Sequence, residues 1–177
     1  MPIESIPKMD AAKRQLDTAI ELFLKESDPI SIHALAAASH EILSDIGKKQ
    51  GIKSIIKGHA LSLIKEDKKA GYIKKVNEAQ NFFKHADSDT KTILDFNADQ
   101  STLLLFDACE MYLAINKGIS ALMFLFRGWF MMNYPDLIAD KSIKDKLIQL
   151  MKSLSLDPKN RSLFLDILPK IPNPYPI

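Results

Sequence analysis

The sequence predicts an all-α protein: a helical bundle of about five to seven helices around a long central apolar helix at 99–133. Three observations carry this. Apolar residues recur at i, i+3 and i+4 through most of the chain. No stretch alternates apolar and polar side chains long enough to build a sheet. Residues 99–133 contain no proline and are apolar around most of their circumference, the pattern of a helix surrounded by partners.

The elements follow in order. Residues 8–26 form an amphipathic helix with Met9, Ala12, Leu16, Ala19, Ile20 and Phe23 on one face. Ser27-Asp28-Pro29 stops it and starts the next, because proline is tolerated in a first turn and Asp28 or Ser31 can cap free amides. The second helix, 30–46, packs through Ile32, Leu35, Ser39, Ile42, Leu43 and Ile46, and Gly47 and Gly51 end it. Residues 52–67 keep a helical pattern weakened by Gly58. The helix at 69–86 turns Tyr72, Ile73, Val76, Ala79 and Phe83 inward. A structured loop, 87–98, then tucks in Ile93, Leu94 and Phe96.

The central segment starts at a cap from Asp99 or Ser101, has Gly118 as its place for a bend or division, and closes at Tyr134-Pro135. A narrow polar stripe of Asp107, Glu110 and Lys117 interrupts its apolar surface. Helices at 136–152 and 159–168 complete one domain, 1–168, and the proline-rich 169–177 is expected to lie extended.

Composition narrows the class. The chain has 177 residues, is 46% hydrophobic, and carries 24 Lys+Arg against 22 Asp+Glu, which excludes disorder and leaves a net charge of +2. Near-balance, and a basic set that is lysine apart from Arg14, Arg127 and Arg161, speak against sequence-specific nucleic-acid binding. The lone Cys109 excludes a disulfide scaffold and, with no export signal, points to a reducing cytoplasm. The apolar run at 119–132 falls short of the ~20 residues that span a bilayer and is broken by Arg127, so no membrane role is expected.

Neither a Walker loop, G-x-G-x-x-G, H-E-x-x-H, C-x-x-C nor the E-x-x-H of di-iron bundles occurs. The candidates are histidines and carboxylates. His33 and His40 stand two turns apart on the second helix, at the boundary of its apolar face. They could begin a metal site completed by Asp107, Glu110 or His85, or they could simply hydrogen-bond neighbouring groups. Asn81 and His85 lie at i, i+4 on one polar face with Lys74 and Glu78, followed by Lys84 and Asp87. An imidazole, an orienting amide and a lysine for an anion are a minimum kit for acid–base work on a phosphate ester. The same face could equally be solvated, with His85 and Lys84 at a negative helix end. Phe82 falls off the core face and suggests a partner surface, a second copy of the chain. The Asp107–Glu110 pair could raise a carboxylate pKa or bind a cation, or could be the helix's wet side. Arg127 is expected to snorkel or to meet late carbonyls.

Three strings, DPISIHALAAASHEIL at 28–43, NFFKHADSD at 81–89 and NYPDL at 133–137, with AAKRQLDTAIELF at 11–23, resemble a widespread bacterial family of small helical proteins of uncharacterised activity. The matching polar positions are Ser31, His33, Asn81, Lys84, His85, Asp87 and Asn133, and Ala34 stands where that pattern has threonine. A looser likeness is to HEPN domains, helical bundles that include metal-independent RNases with an R-N-x-x-x-H motif. Here Asn81 and His85 keep the spacing, but Gln80 replaces the arginine that would hold the scissile phosphate.

Three readings follow: a homodimer or partner-binding module of unknown activity and unknown cofactor; a HEPN-like RNase or nucleotide-binding protein using His85 and Asn81; and a metal-binding bundle using His33 and His40. Both site readings are expected to stand or fall on whether His33, His40 and His85 converge on one cavity.

Overall fold

The structure is a computed structural model that describes residues 3–85 and 90–173. Among the described residues the chain forms eight α-helices and no strand. They are α1 (Lys8–Leu24), α2 (Pro29–Lys49), a π-helical turn (Ile55–His59) running into α3 (Ala60–Ser62), α4 (Glu66–Lys84), α5 (Asp99–Asn116), α6 (Ala121–Asn133), α7 (Lys141–Ser153) and α8 (Ser162–Asp166). Short 3₁₀ turns occupy Pro135–Leu137 and Leu168–Lys170.

Helix α1 buries Ala12, Leu16, Ala19, Ile20, Phe23 and Leu24, close to the face its periodicity predicts. Asp28 caps α2 by accepting from the Ser31 N–H at 2.7 Å, with Pro29 in the first turn. Contrary to expectation α2 does not stop at Gly47, which is buried inside the helix; it runs on to Lys49.

The element expected at 99–133, with Gly118 as its place for a bend or division, is two helices that part around Gly118. Lys117 adopts the left-handed conformation (φ 53°) and ends α5, and Ser120 caps α6 by accepting from the Met123 N–H at 3.1 Å. Ser120 also donates to Asp17 on α1, which fixes the new start. Helix α6 then folds back along α5. Phe106 stacks on Phe130 at 3.9 Å between ring centres, and Glu110 meets Arg127, so the pairs run in opposite directions along the two helices. Phe23, Phe126 and Trp129 form a second aromatic cluster that joins α1 to α6. The Arg161 guanidinium lies 4.1 Å from the centre of the Phe23 ring.

Helix α7 begins later than predicted, where Asp140 caps it by accepting from Ile143 N–H at 3.0 Å. Its Met151 fills the space left by Gly128 on α6, where a Cβ would come within 2.4 Å of the Met151 sulfur. The C-terminal stretch departs from the extended expectation at Leu168–Lys170, a 3₁₀ turn that places Pro169 in its first turn; residues 174–177 of the expected tail lie outside the described residues. No helix among the described residues is long and apolar enough to cross a membrane.

Helices α2 and α5 run parallel. His33 meets Ser101 and, one stretch further along both helices, His40 meets Asp107. A slip of one turn would break both buried polar pairs, so they set the register of this packing.

Candidate functional site

The most heavily bonded polar group in the core is Asp107. Its carboxylate accepts four hydrogen bonds: from His40 Nε2 at 2.9 Å, Ser54 Oγ at 2.6 Å, Ile55 N–H at 2.8 Å and Ile56 N–H at 3.0 Å. His40, Ser54 and Asp107 are all buried. Burial alone pushes the Asp107 carboxyl up, but the hydrogen bonds and charge of His40, with Ser54 and the Ile56 amide, outweigh it and hold the group below its ordinary value. Ser54 in turn accepts from Lys57 N–H at 2.8 Å, capping the π-helical turn. Asp107 therefore does from α5 what a local cap would do: it satisfies the free amides at the start of another segment. The arrangement is not that of a nucleophile and its base, since Ser54 donates to the carboxylate and not to the imidazole. His40 Nδ1 is buried without a hydrogen-bond partner among the described residues.

His33, expected at the core boundary, is also buried, because α5 covers that side of α2. Its Nδ1 lies 3.1 Å from Ser101 Oγ, and its ring meets the edges or faces of Phe83 and Phe96 at 5.8 and 5.1 Å. Burial lowers its pKa and keeps the imidazole neutral at pH 7. Phe96 and Leu94 do tuck in from the 87–98 segment, but Ile93 does not: it is 88% exposed.

The expected polar stripe of α5 divides three ways. Asp107 is inside the protein, against the reading of a wet side. Glu110 accepts from Arg127 Nε at 2.6 Å and from its Nη2 at 3.4 Å, so Arg127 neither snorkels nor caps carbonyls. Lys117 is exposed at the helix end. Cys109 is wholly buried, and burial pushes its thiol well above the ordinary value, so it is a core residue.

The α4 face holds together. Lys74, Glu78, Asn81, Phe82 and His85, with Thr92, Ile93 and Leu94, line a groove of about 350 Å³. His85 is the residue at which α4 ends, in extended conformation, with its N–H bonded to Asn81 O at 3.0 Å. Lys84 is exposed and not part of that lining; Asp87 lies outside the described residues. On the opposite side of α4 a second groove, about 270 Å³, is walled by His33, Ile56, Tyr72, Val76, Leu103 and Leu104, among others.

The chain matches no family model, and no curated protein or solved structure matches it.

The structure thus joins His40 to Asp107, as one of the metal readings required, but gives the pair no third ligand. Among the described residues no three His, Cys, Asp or Glu side chains are grouped as a metal ion would need. His33, His40 and His85 have three different surroundings and do not converge. Sequence reasoning missed Ser54, which shares the Asp107 carboxylate with His40, and Ser101 as the partner of His33. Neither stands in a motif; the packing of α5 against α2 brings Ser101 to His33, and the docking of the π-helical turn on α5 brings Ser54 to Asp107.

Proposed function

We propose that the protein is a cytoplasmic binding module that acts as a homodimer through α4. The observation behind this reading is the burial of that helix. Of the 19 residues of α4 only Ala79 is buried, whereas α2 buries nine. Most helical stability in proteins comes from packing an amphipathic face, so a helix so lightly covered is completed by a partner. The outer groove of α4 offers apolar contacts, Phe82, Ile93 and Leu94, beside Lys74 and Glu78. Opposite charges on one patch suit a two-fold interface, in which Lys74 of one copy faces Glu78 of the other. The single Cys109, reduced and buried, suits a reducing compartment.

Light scattering on a sizing column tests this. The intact chain is expected to run as a dimer and Ile93→Asp as a monomer. A strict monomer at high concentration overturns the proposal.

A second reading, a HEPN-like RNase, loses the support of converging histidines and rests only on the gathering of Lys74, Asn81 and His85 on the same groove. Labelled RNA incubated with the intact chain and with His85→Ala decides it. Cleavage by the intact chain alone supports the reading; equal cleavage, or none by either, removes it.

A further inference from the structure

The overall charge of +2 conceals a lopsided distribution. Residues 48–69 carry seven lysines against Glu66 and Asp67, so this segment holds a larger surplus than the entire chain and the remainder is net negative. The fold gathers these lysines. Lys48 from the end of α2, Lys53 from the following linker, Lys57 from the π-helical turn and Lys69 from the first turns of α4 line a pocket of about 310 Å³, completed by Ser44, Ser54, Gly58, Leu61 and Ser62. No acidic side chain is part of that lining.

Three of the ammonium groups are answered by carboxylates that stand outside the pocket: Lys57 by Glu41 at 2.6 Å, Lys48 by Asp45 at 3.1 Å and Lys69 by Glu66 at 2.5 Å. Asp45 and Glu66 are largely exposed, and pairs of that kind contribute little and are easily exchanged for a better anion. Lys53 has no ion-pair partner among the described residues. Its Cβ lies against Gly58, where an added Cβ would come within 3.0 Å of it, so the absence of a side chain at Gly58 lets the Lys53 backbone approach this closely. One wall is fixed, because Ser54 is bonded to Asp107 and the two residues that follow it donate to the same carboxylate. Asp107 itself repels an anion, but both its oxygens are occupied by donors and it is not part of the pocket lining.

We propose that this pocket binds a diphosphate group, free or as part of a nucleotide. Lysine binds phosphate as a point charge, and Lys53 together with Lys48 and Lys69, once these exchange their exposed carboxylates, offers more charge than one phosphate neutralises. The volume holds about ten water-sized groups, enough for two linked phosphates. Leu61 and the lysine stems offer an apolar strip against which the organic part of a nucleotide can lie.

Calorimetric titration of the full chain at low salt with pyrophosphate, inorganic phosphate and ADP is the test. One pyrophosphate per chain is expected, with weaker binding of inorganic phosphate. Lys53→Ala and Lys69→Ala should each weaken pyrophosphate about tenfold. Lys146→Ala, which removes an exposed charge on α7, should leave it unchanged. Tighter binding of ADP than of pyrophosphate identifies the nucleotide source, and equal or weaker binding identifies the free anion. Absence of binding, equal loss in Lys146→Ala, or inorganic phosphate binding as tightly as pyrophosphate overturns the proposal. Circular dichroism on each variant confirms that these surface changes leave the fold intact, so loss of binding is read at the pocket. The dimer reading can fail without affecting this result, since the two sites use different faces.

Discussion

Removing the Asp107 carboxylate should destabilise the protein more than any other single polar substitution in it. Asp107→Ala leaves four donors without their acceptor: His40 Nε2, Ser54 Oγ and the Ile55 and Ile56 amides. A buried donor left unpaired costs about 1–3 kcal/mol. His40 and Ser54 are fully buried and bear that cost in full, while the two amides are partly buried and can recruit water. The sum for the two buried donors is about 2–6 kcal/mol, in the range of about 3–5 for breaking a buried pair. Against a typical stability of about 5–15 kcal/mol, that is a large share. Asp107→Asn keeps one acceptor oxygen but turns an NH₂ toward existing donors, and should cost about 1–3 kcal/mol. Acid adds a second signature. The Asp107 pKa is lower in the folded than in the unfolded chain, so its contribution is complete above the unfolded value of about 3.9 and is lost as pH falls through the lower folded value. Urea unfolding followed by circular dichroism at neutral pH and near pH 3 measures both effects. A loss below about 1 kcal/mol for Asp107→Ala, or an acid sensitivity unchanged in Asp107→Asn, would refute the reasoning.

Three further outcomes are expected. His33 is neutral in the fold with a pKa lowered by burial, so the unfolded chain takes up a proton first; stability should fall as pH drops below about 6.5, and His33→Phe should flatten that slope in urea titrations. Gly128→Ala should cost about 1–3 kcal/mol through overpacking on Met151, and Met151→Ala in the same chain should recover part of the loss, read as coupling in a double-mutant cycle. Glu110→Ala strands the Arg127 guanidinium, which is 8% exposed, and should lower the thermal midpoint more than Arg127→Leu does, because the Glu110 left behind can hydrate; the reverse order would contradict the ion-pair geometry.

Much of this architecture is legible in the chain because helices announce themselves by spacing. The face of α1, the Asp28-Pro29 start and the apolar character of α5 and α6 all follow from periodicity and capping chemistry, whereas α2 also buries His33, Ala36, Ala37 and His40 beside its predicted face. Gly118 marks the place where 99–133 divides, but that the chain turns back there is harder to read. Both halves are apolar nearly all round, so neither has a face whose drift would mark a break, and the decisive features are a left-handed Lys117 and a cap by Ser120 that reads as an ordinary polar residue. Gly58 weakened the helical pattern of 52–67, and the chain there adopts a π-helical turn. The buried partners were out of reach for another reason. His33 with Ser101 and His40 with Asp107 lie 68 and 67 residues apart, and only the packing of α5 along α2 makes them neighbours. The lysine pocket could have been noticed: the density of lysine in 48–69 is plain in the sequence, but an average over the whole chain hides it.

The two outer surfaces share one internal support. Ile56 donates its amide hydrogen to Asp107 and accepts, at its carbonyl, a 2.9 Å hydrogen bond from the Tyr72 hydroxyl of α4. A single peptide segment is therefore held on one side by the core and holds α4 on the other. Beyond this link α4 has little that anchors it, since only Ala79 is buried. Local opening free energies follow buried contacts, so α4 belongs to the low end of the molecule's stability range and the α1–α2–α5–α6 core to the high end. The basic pocket spans the same joint, with Lys53 and Lys57 on the segment fixed by Asp107 and Lys69 on α4. An anion bridging them would tie α4 to the segment by a second connection, and a partner covering the outer groove would supply a third. Either event stabilises the least-anchored helix by binding only its folded form. This is the physical reason to look for function at α4 and its approach, not in the well-satisfied core.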